Sequence, residues 1–385
     1  MNVKVIGIGA AGNKAAINAV ENELIEMEDV MLINSTLRDI PMDYKGLKFE
    51  YKGSYGGCGK ERNIAYDLAM KNLGGELAIK LEEFLCIGDS AKEAELVVIV
   101  SSTEGGTGSG SSNIIGHYIS ERYGIHIHMF GFTGFQSDVR GLKNTVEWFQ
   151  ELHDEFTVEC IENSKFLAEC RDNKIKAEKL ANAEFGKKLS VLMGNPIRNS
   201  SHNIDATDLL KVTTTSGYMF IESVNFDKIK NREQFESAII NMIDNSKTID
   251  VRENVSQRTA VIINIDPNST DYISYEDIIA ERYGTSYENY LHIQHEPDMP
   301  EFFAIIIAGV KMPVEEVQKI YNEYRTRMGK VDRTSDSFFA NAQKLELDND
   351  ADLSLKKKKP KVSSEDFFAN LTAKKEVKED PISKY

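Results

Sequence analysis

The chain has 385 residues, enough for two domains with cores of their own, and its 41% hydrophobic and 28% charged residues are ordinary for a globular protein. A net charge of −15 argues against a surface that coats nucleic acid. We find no signal peptide, no apolar run of the roughly 18–20 residues that a membrane span needs, and no metal-ligand spacing among the cysteines, so we expect a cytoplasmic protein without direct membrane insertion.

In the first half of the chain, strand patterns alternate with helix patterns. Apolar strand patterns lie at residues 3–8, 30–33, 96–100 and 125–133, and helical spacing lies at 13–23, 61–73, 112–123 and 142–156. Such alternation predicts a Rossmann-like parallel sheet covered by helices on both faces. We therefore predict an α/β domain over residues 1–174, with ligands at the carboxyl ends of its strands.

A long helix and a differently built second half follow. The helix is predicted over 175–192 and Gly194-Asn195-Pro196 ends it, so a core helix occupies residues 175–196. Strands at 259–265 and 302–308 and helices at 205–216 and 231–243 then predict a smaller α+β domain over 197–312. Pro313 is favourable at the first position of a C-terminal helix at 314–328, which we assign to residues 313–329.

Residues 330–385 have low apolar content and high charge, and we predict that they form a largely disordered tail. A basic run from Lys356 to Lys361 follows an acidic patch at 346–352. The segment 335–341 recurs at 364–370, and each copy contains paired phenylalanines. These pairs are either docking motifs or amphipathic turns that lie on the protein's own surface, and the sequence leaves both open.

The most informative motif is Glu104-Gly105-Gly106-Thr107-Gly108-Ser109-Gly110, which lies between a predicted strand and a predicted helix. Glycines let a backbone approach a ligand closely, and the N–H groups at the start of a helix attract anions. The motif therefore predicts a phosphate-binding turn. It is not a Walker A loop, because it lacks the Gly-Lys-Thr or Gly-Lys-Ser of such loops.

Two further glycine-rich turns are Gly7-Ile8-Gly9-Ala10-Ala11-Gly12 and Gly53-Ser54-Tyr55-Gly56-Gly57-Cys58-Gly59. The first matches GxGxxG after a strand and could mark a nicotinamide- or flavin-dependent oxidoreductase. That alternative is disfavoured, because it needs an acidic residue at the end of the second strand and the nearest acid is Asp39, in the next turn. Three such turns at one sheet edge instead predict a polyphosphate ligand.

The segment Asn203-Ile204-Asp205-Ala206-Thr207-Asp208 opens the predicted second domain. Asn203 or Asp205 could simply cap the next helix. The alternative is a catalytic role, since carboxylates near a γ-phosphate can orient and polarise a water for in-line attack. The Asn-x-Asp-x-x-Asp pattern at this place favours the catalytic role.

Together these motifs give the chain, from its N-terminus to about Gly329, a resemblance to the tubulin/FtsZ superfamily. The 104–110 motif resembles the tubulin signature Gly-Gly-Gly-Thr-Gly-Ser-Gly in all but its first position. The resemblance implies a GTPase domain at 1–174, an activation domain at 197–312, and binding of GTP or GDP with Mg²⁺. It also implies head-to-tail assembly with copies of itself, in which the 203–208 loop of the next subunit completes the hydrolytic site. Such an interface does not close and builds filaments.

The resemblance also assigns roles to individual residues by their position. The phosphates would be cradled by Gly105, Gly106, Thr107, Gly108 and Ser109. The α- and β-phosphates and the sugar side would contact Gly9, Ala10, Ala11, Gly12 and Asn13, and the γ-phosphate would lie by Gly56, Gly57 and Gly59. Asn163 would lie beside the nucleotide, Asp138 and Arg140 near ribose and phosphate, and Asn182, 21 residues before Asn203, would read the guanine edge. The catalytic residues would be Asn203, Asp205 and Asp208.

Three positions depart from the family pattern. Glu104 replaces a glycine, so its carboxylate either points outward or is separated from phosphate by Mg²⁺ and water. Glu178 stands where FtsZ carries an aromatic residue that packs on the base, and Phe185 lies on the far side of the helix. Cys58, in the second phosphate loop, is either a thiol whose modification disturbs nucleotide binding or a buried, inert one.

Within the superfamily, the chain is most similar to plasmid- or phage-encoded bacterial tubulins such as TubZ and PhuZ. In these proteins the final helix packs on the neighbouring subunit, and a basic tail can engage a DNA-bound adaptor. The resemblance therefore implies a filament for plasmid or phage DNA segregation, and the alternatives are an FtsZ-type cell-division ring protein or a regulator that binds GTP without polymerising. The apolar residues available for docking on a neighbour, or for packing on the chain's own domain, are Val314, Val317, Ile320, Tyr321 and Tyr324.

Overall fold

A computed structural model describes residues 1–54, 56–198, 204–226, 228–249 and 255–331 of the chain. The strands are β1 Val3–Ile8, β2 Val30–Asn34, β3 Leu47–Glu50, β4 Leu96–Ser102, β5 His126–Phe132, β6 Thr157–Ile161, β7 Gly217–Asn225, β8 Val255–Asn264, β9 Thr285–Gln294 and β10 Phe302–Val310. The helices are α1 Gly9–Glu21, α2 Arg62–Leu73, α3 Glu76–Phe84, α4 Thr107–Tyr123, α5 Val139–Gln150, α6 Lys174–Leu192, α7 Ala206–Thr213, α8 Arg232–Asp244, α9 Glu276–Tyr283 and α10 Val314–Val331.

These strands belong to one sheet in the order β3-β2-β1-β4-β5-β6-β7-β10-β8-β9. From β3 to β6 in this order the pairing is parallel, and Ile8 of β1 lies beside Ser101 of β4. β10 runs antiparallel to both β7 and β8. The carboxyl ends of β1, β4, β5 and β6 therefore meet along one edge, and the predicted α/β fold with a parallel sheet is confirmed.

Apolar layers cover both faces of the sheet, because successive strand residues point to opposite sides. In β4, Val97 and Ile99 join the layer that contains Trp148 of α5. Val98, next along the strand, joins the layer that contains Phe185 of α6. A strand buried on both faces accounts for the continuous apolar run at the start of β4.

The two halves of the sheet meet where β6 pairs with β7, in the pairs Thr157–Gly217 and Val158–Tyr218. Beyond these pairs the segment 247–249 bonds to β6 instead. The N–H of Ile249 donates to the carbonyl oxygen of Cys160 at 2.9 Å, and Tyr218 donates from its hydroxyl to the carbonyl oxygen of Ile249 at 3.3 Å. One sheet therefore runs through both regions that we predicted as domains.

A buried ion cluster lies beside this junction. Nζ of Lys188 in α6 lies 2.9 Å from a carboxylate oxygen of Glu159 in β6 and 2.8 Å from one of Glu222 in β7. The Thr248 hydroxyl donates to Glu159 at 3.0 Å, and the Ser246 hydroxyl donates to Glu222 at 2.6 Å. Burial raises the pKa of Glu159 to about 7, although the charge of Lys188 opposes the rise.

The final helix, α10, packs on α5 of its own chain. Ile320 is buried against Leu142 and Val146, and Tyr321 and Tyr324 cover this small cluster. Of the two roles that the sequence left open for this apolar face, the structure therefore shows packing within the chain.

Most predicted elements are present within a few residues of the expected bounds, and the differences have local causes. α1 begins at Gly9 and α4 at Thr107, earlier than predicted, because the glycine-rich turns run directly into helices. The elements that were not predicted are β3, β6, β7, β9, α3 and α9. Glu159 interrupts the apolar pattern of β6, and β9 is a strongly polar edge strand. The described residues end at Val331, so nearly all of the tail predicted at 330–385 lies outside them. Within the described ranges, none of the helices is both long and apolar enough to cross a membrane.

Candidate functional site

Two helix N-termini converge at the carboxyl edge of the sheet. α1 follows β1 and α4 follows β4, and because these strands are neighbours the two helices start side by side. Gly9 has a φ of +74°, and a Cβ there would lie 2.9 Å from the backbone nitrogen of Gly108. A Cβ on Gly12 would collide with the carbonyl oxygen of Val100. Glycine at these positions is therefore what allows the close approach.

The first turns of both helices keep their N–H groups available. Among the described residues, no side-chain hydrogen bond caps α1 or α4, and neither first turn contains an acid. Elsewhere in the described chain, α2, α3 and α9 also lack such a cap, whereas α5, α6, α7 and α8 are capped by Asp138, Asn173, Asp205 and Asn231. Free N–H groups and the positive ends of two helix dipoles attract an anion, so the arrangement fits a phosphate group.

Buried polar atoms without a hydrogen-bond partner collect at the same edge. Within the described residues no partner exists for either amide atom of Asn13, for Ser101 Oγ, for Thr133 Oγ1 or for Asn163 Oδ1. These residues follow or end the neighbouring strands β1, β4, β5 and β6. Other buried polar atoms of the described residues also lack a partner, but these five lie near strand ends, where a polar ligand can complete their hydrogen bonds. Ser101 and Thr133 were not among the predicted site residues.

The third glycine-rich turn borders the start of α4. A Cβ on Gly106 would lie 2.9 Å from the backbone nitrogen of Lys60, which directly follows Gly59. Gly56 and Gly57 have φ values of +98° and +131° and open space around them. The turn is therefore placed beside the converging helices, in a conformation that favours glycine.

Two buried side chains that the sequence did not single out hold these loops in place. Asn144 of α5 donates from Nδ2 to the carbonyl oxygen of Glu104 at 2.9 Å and to that of Lys60 at 3.1 Å. Arg62 of α2 donates from Nη2 to the carbonyl oxygen of Ser109 at 2.8 Å. Both residues are more than nine-tenths buried. Their hydrogen bonds therefore hold the backbone of the glycine signature from within the protein interior.

The end of β2 also reaches this site. Ser35 Oγ lies 2.8 Å from Thr107 Oγ1, at the first position of α4. Ser54, in the loop before Gly56, donates from Oγ to the carbonyl oxygen of Ser35 at 2.5 Å. Polar residues begin at Asn34, the last residue of the otherwise apolar strand β2. This change from apolar to polar residues at a strand end was a signal that could have identified Ser35 as a site residue.

Glu104 turns away from the converging N-termini. Its Oε1 accepts a hydrogen bond from the N–H of Gln136 at 2.6 Å, in the loop between β5 and α5. The carboxylate lies so close to Gly134 and Gly141 that a Cβ on either glycine would crowd it. Burial raises the pKa of Glu104, and the hydrogen bond from Gln136 opposes the rise. The side chain therefore neither points outward, as one expectation from the sequence had it, nor lies at the helix starts, but is buried against the loop between β5 and α5.

Asp138 and Arg140 lie at the start of α5 and pair with residues that follow Gly59. Asp138 caps α5, accepting from the N–H of Gly141 at 2.8 Å, and forms an ion pair with Lys60. Arg140 forms an ion pair with Glu61. Hydrogen bonding to Lys60 lowers the pKa of Asp138, as does the N–H of Gly141. Both side chains therefore join the two loops at the rim of the site.

α6 places polar groups beside the start of α1. Glu178 lies 3.6 Å from Lys14, measured from carboxylate oxygen to Nζ, and Asn182 is half-buried one turn further along. Phe185 is fully buried and packs edge-on against Phe130, with ring centroids 5.0 Å apart. Phe185 therefore belongs to the core and does not form a surface for a base.

The predicted catalytic acids lie at the start of α7. Asp205 is exposed and caps the helix by accepting from the N–H of Asp208 at 2.8 Å. The carboxylate of Asp208 is partly exposed and lies 3.7 Å from Lys211. Asn203, the third predicted catalytic residue, lies outside the described residues.

These acids lie at the opposite end of the subunit from the converging helices. α1 and α6 run in parallel, because the Lys14–Glu178 ion pair joins their first halves and Asn195, beyond α6, donates to the carbonyl oxygen of Leu24, beyond α1, at 2.9 Å. α6 has 19 residues and spans roughly 28 Å, and α7 follows its far end. A single chain therefore cannot bring Asp205 or Asp208 to its own α1 and α4 N-termini.

The whole fold is similar to several solved structures. TubZ of Clostridium botulinum phage c-st matches with a TM-score of 0.67 and 15% identity, over 86% of this chain and 99% of TubZ. CetZ2 of Haloferax volcanii, in a GTPγS-bound protofilament, matches with a TM-score of 0.69 and 14% identity, over 86% of this chain and all (100%) of CetZ2. The FtsZ dimer of M. jannaschii matches with a TM-score of 0.60 and 19% identity, over 80% of this chain and 88% of FtsZ. No protein-family model and no curated protein matches the sequence significantly.

The chain therefore shares its fold with TubZ, CetZ2 and FtsZ, which is the fold that the resemblance of its motifs implied. The structure brings together the predicted residues at 9–13, 56–59 and 105–109 with Asn163, and it places Asp205 and Asp208 apart from them.

Proposed function

On the basis of this fold, we propose that the chain binds and hydrolyses GTP and polymerises head to tail into filaments. The observation that carries the proposal is the separation of two polar sites. The uncapped starts of α1 and α4 lie at one end of the subunit, and Asp205 and Asp208 lie at the other. When copies stack in one orientation, the acids of one copy meet the phosphate site of the next.

In this proposal the N–H groups at 9–13 and 105–109 bind the phosphates of GTP, and Gly56, Gly57 and Gly59 lie beside the γ-phosphate. Both amide atoms of Asn13 and Oδ1 of Asn163 lack partners among the described residues. Nδ2 of Asn13 donates to a phosphate oxygen, and Oδ1 of Asn163 accepts from a sugar hydroxyl. Asn182 reads the guanine edge, since a carboxamide both donates and accepts hydrogen bonds.

We expect Mg²⁺ to enter with the nucleotide. Within the described ranges, no group of three or more His, Cys, Asp or Glu side chains is arranged to hold a metal ion. Mg²⁺ typically keeps several waters and binds through substrate phosphates, where it neutralises charge on the phosphate oxygens. The chain's own contribution is therefore the backbone cradle at the two helix starts.

Hydrolysis requires the next subunit. Asp205 and Asp208, together with Asn203, orient a water in line with the γ-phosphate and polarise it for attack. The side chain of Asp208 is partly exposed, and its ion-pair partner Lys211 is on the same helix. Asp208 and Lys211 therefore both remain accessible to an arriving subunit.

Sedimentation and phosphate release with GTP test the proposal. Wild type is expected to pellet in a GTP-dependent manner and to release phosphate. Asp205→Asn and Asp208→Asn keep the side-chain size, and asparagine caps a helix as well as aspartate does. Each variant is expected to assemble but to release phosphate roughly 10²–10⁴-fold more slowly, the range for loss of acid–base assistance. Wild type that does not pellet with GTP, or normal turnover in both variants, would contradict the proposal.

We further propose that the filament moves or positions plasmid or phage DNA in the cytoplasm through a DNA-bound adaptor. Two observations support this role: the similarity to a phage TubZ and the basic run Lys356–Lys361 near the end of the chain. Deleting the run should abolish co-sedimentation with the adaptor–DNA complex and leave filaments intact. Unchanged co-sedimentation would argue against this role, and ring formation in dividing cells would favour an FtsZ-type function instead.

A further inference from the structure

α10 contacts the loop between β5 and α5 as well as α5 itself. Arg327 of α10 donates from Nη1 to the carbonyl oxygen of Gln136 at 2.8 Å. The Nε of Arg327 lies 2.5 Å from the carboxylate of Glu323 on the same helix, which orients the guanidinium group. The last described turns of the chain are thereby joined to a loop at the rim of the phosphate site.

Gln136 also forms a hydrogen bond with Glu104, the first residue of the glycine signature. Its N–H donates to Glu104 Oε1 at 2.6 Å, so the two peptide groups that flank Gln136 are held by different parts of the chain. Its φ of +52° is a left-handed conformation that a residue with a Cβ adopts at a cost. The contacts on both sides of Gln136 therefore help to hold this backbone conformation.

Glu104 connects this loop to the start of α4. Its carbonyl oxygen accepts from Asn144 at 2.9 Å, and Gly106, two residues later, is the N-cap of α4. The Glu104 side chain therefore links the 133–138 loop to backbone that lies two residues before the N-cap of α4. The glycine that the family signature carries at this position has no side chain with which to make the contact.

We propose that α10 positions the phosphate-binding turn through Arg327, Gln136 and Glu104. Arg327 and Glu104 are positioning residues, because each acts on the start of α4 through the peptide groups of Gln136. Undocking of α10 releases Gln136 and loosens the turn at 104–110. The consequence for nucleotide affinity rests on the proposed GTP binding, whereas the mechanical link does not.

Hydrogen–deuterium exchange of the nucleotide-free full-length chain tests the mechanical link. Arg327→Ala is expected to speed amide exchange at 133–138 and at 104–110 by about 3- to 10-fold, as expected for loss of one hydrogen bond. Arg327→Lys, which keeps one donor, is expected to restore part of the protection. Arg325→Ala, an exposed arginine on the same helix, is the matched control and should leave both segments unchanged. Unchanged exchange at 104–110 in Arg327→Ala overturns the inference.

Calorimetric titration with GDP, below the concentration for assembly, tests the effect on the ligand. Arg327→Ala and Glu104→Ala are each expected to weaken GDP binding by about 3- to 10-fold. The double variant should lose no more GDP affinity than the single variant that binds GDP more weakly, because both residues act through Gln136. Losses that multiply independently overturn the inference. If the wild type binds no GDP, the proposed function fails, and the exchange result still decides the mechanical link.

Discussion

One lysine lies between two buried carboxylates at the junction of β6 and β7. Lys188, Glu159 and Glu222 are 1%, 0% and 4% exposed. A single ammonium group does not compensate two carboxylates in an apolar interior. The second oxygen of Glu159 also finds no partner in the part of the chain that the structure describes. A proton on Glu159 removes this imbalance, which agrees with its raised pKa of about 7.

Glu159→Gln should reveal this proton in the pH dependence of stability. The ordinary pKa of the carboxyl group is 4.5 and its folded-state pKa is about 7, so wild type loses stability as the pH rises between these values. The variant does not titrate, so its decline should be flatter, and its Tm should exceed that of wild type by a few degrees at pH 8. Thermal unfolding from pH 4 to pH 8 measures the difference.

Glu184→Gln is the matched control for this prediction. Glu184 lies on α6, and its carboxylate is 3.8 Å from Lys188. Because this substitution leaves Glu159 in place, the wild-type slope should persist. If Glu159→Gln also keeps the wild-type slope, another group carries the pH dependence.

At the scale of elements, the start of α4 shows what the sequence can predict. The apolar run and the glycine signature predicted a strand, a turn and a helix in that order, and all three are present. The predicted helix began too late, because glycine and serine have low helix propensity. Packing compensates for this, since Gly108 lies against the backbone of β1 and Gly110 against that of α2, and both are helical.

Contacts between elements were not predictable from local patterns. Asn144 reaches Glu104, Arg62 reaches Ser109, and Glu104 reaches the 133–138 loop across 40, 47 and 32 residues of sequence. No periodicity encodes a pairing over such distances, so the side chains that support the phosphate turn were missed. The opposite placement of the acidic loop was predictable, because a long helix separates it from the glycine-rich turns.

At the scale of the whole molecule, the separation of the two sites means that, in the proposed filament, each hydrolytic event depends on a neighbour. Asp208→Asn preloaded with γ-phosphate-labelled GTP and mixed with wild type preloaded with unlabelled GTP tests this dependence in a single turnover. Labelled phosphate should be released faster than from the variant alone, because wild-type acids then face part of the variant's nucleotides. Unlabelled Arg325→Ala, which keeps both acids, should act as wild type does, and unlabelled Asp208→Asn should leave the slow rate unchanged. Labelled phosphate that stays at the slow rate in the presence of wild type would instead indicate a site completed within one chain.

The short pairing of β6 with β7 also determines how the two halves of the molecule resist twisting. Two residue pairs join the strands, and the segment 247–249 then takes the place of β7 beside β6, so the junction has the form of a fork. A fork can change its opening angle without breaking a long ladder of backbone hydrogen bonds. The apolar layers on both faces oppose such a change, and so does Lys188, which binds Glu159 on one side of the fork and Glu222 on the other. One ammonium group therefore contributes to the stiffness between the halves, and its contribution changes when a neighbouring carboxyl group gains or loses a proton.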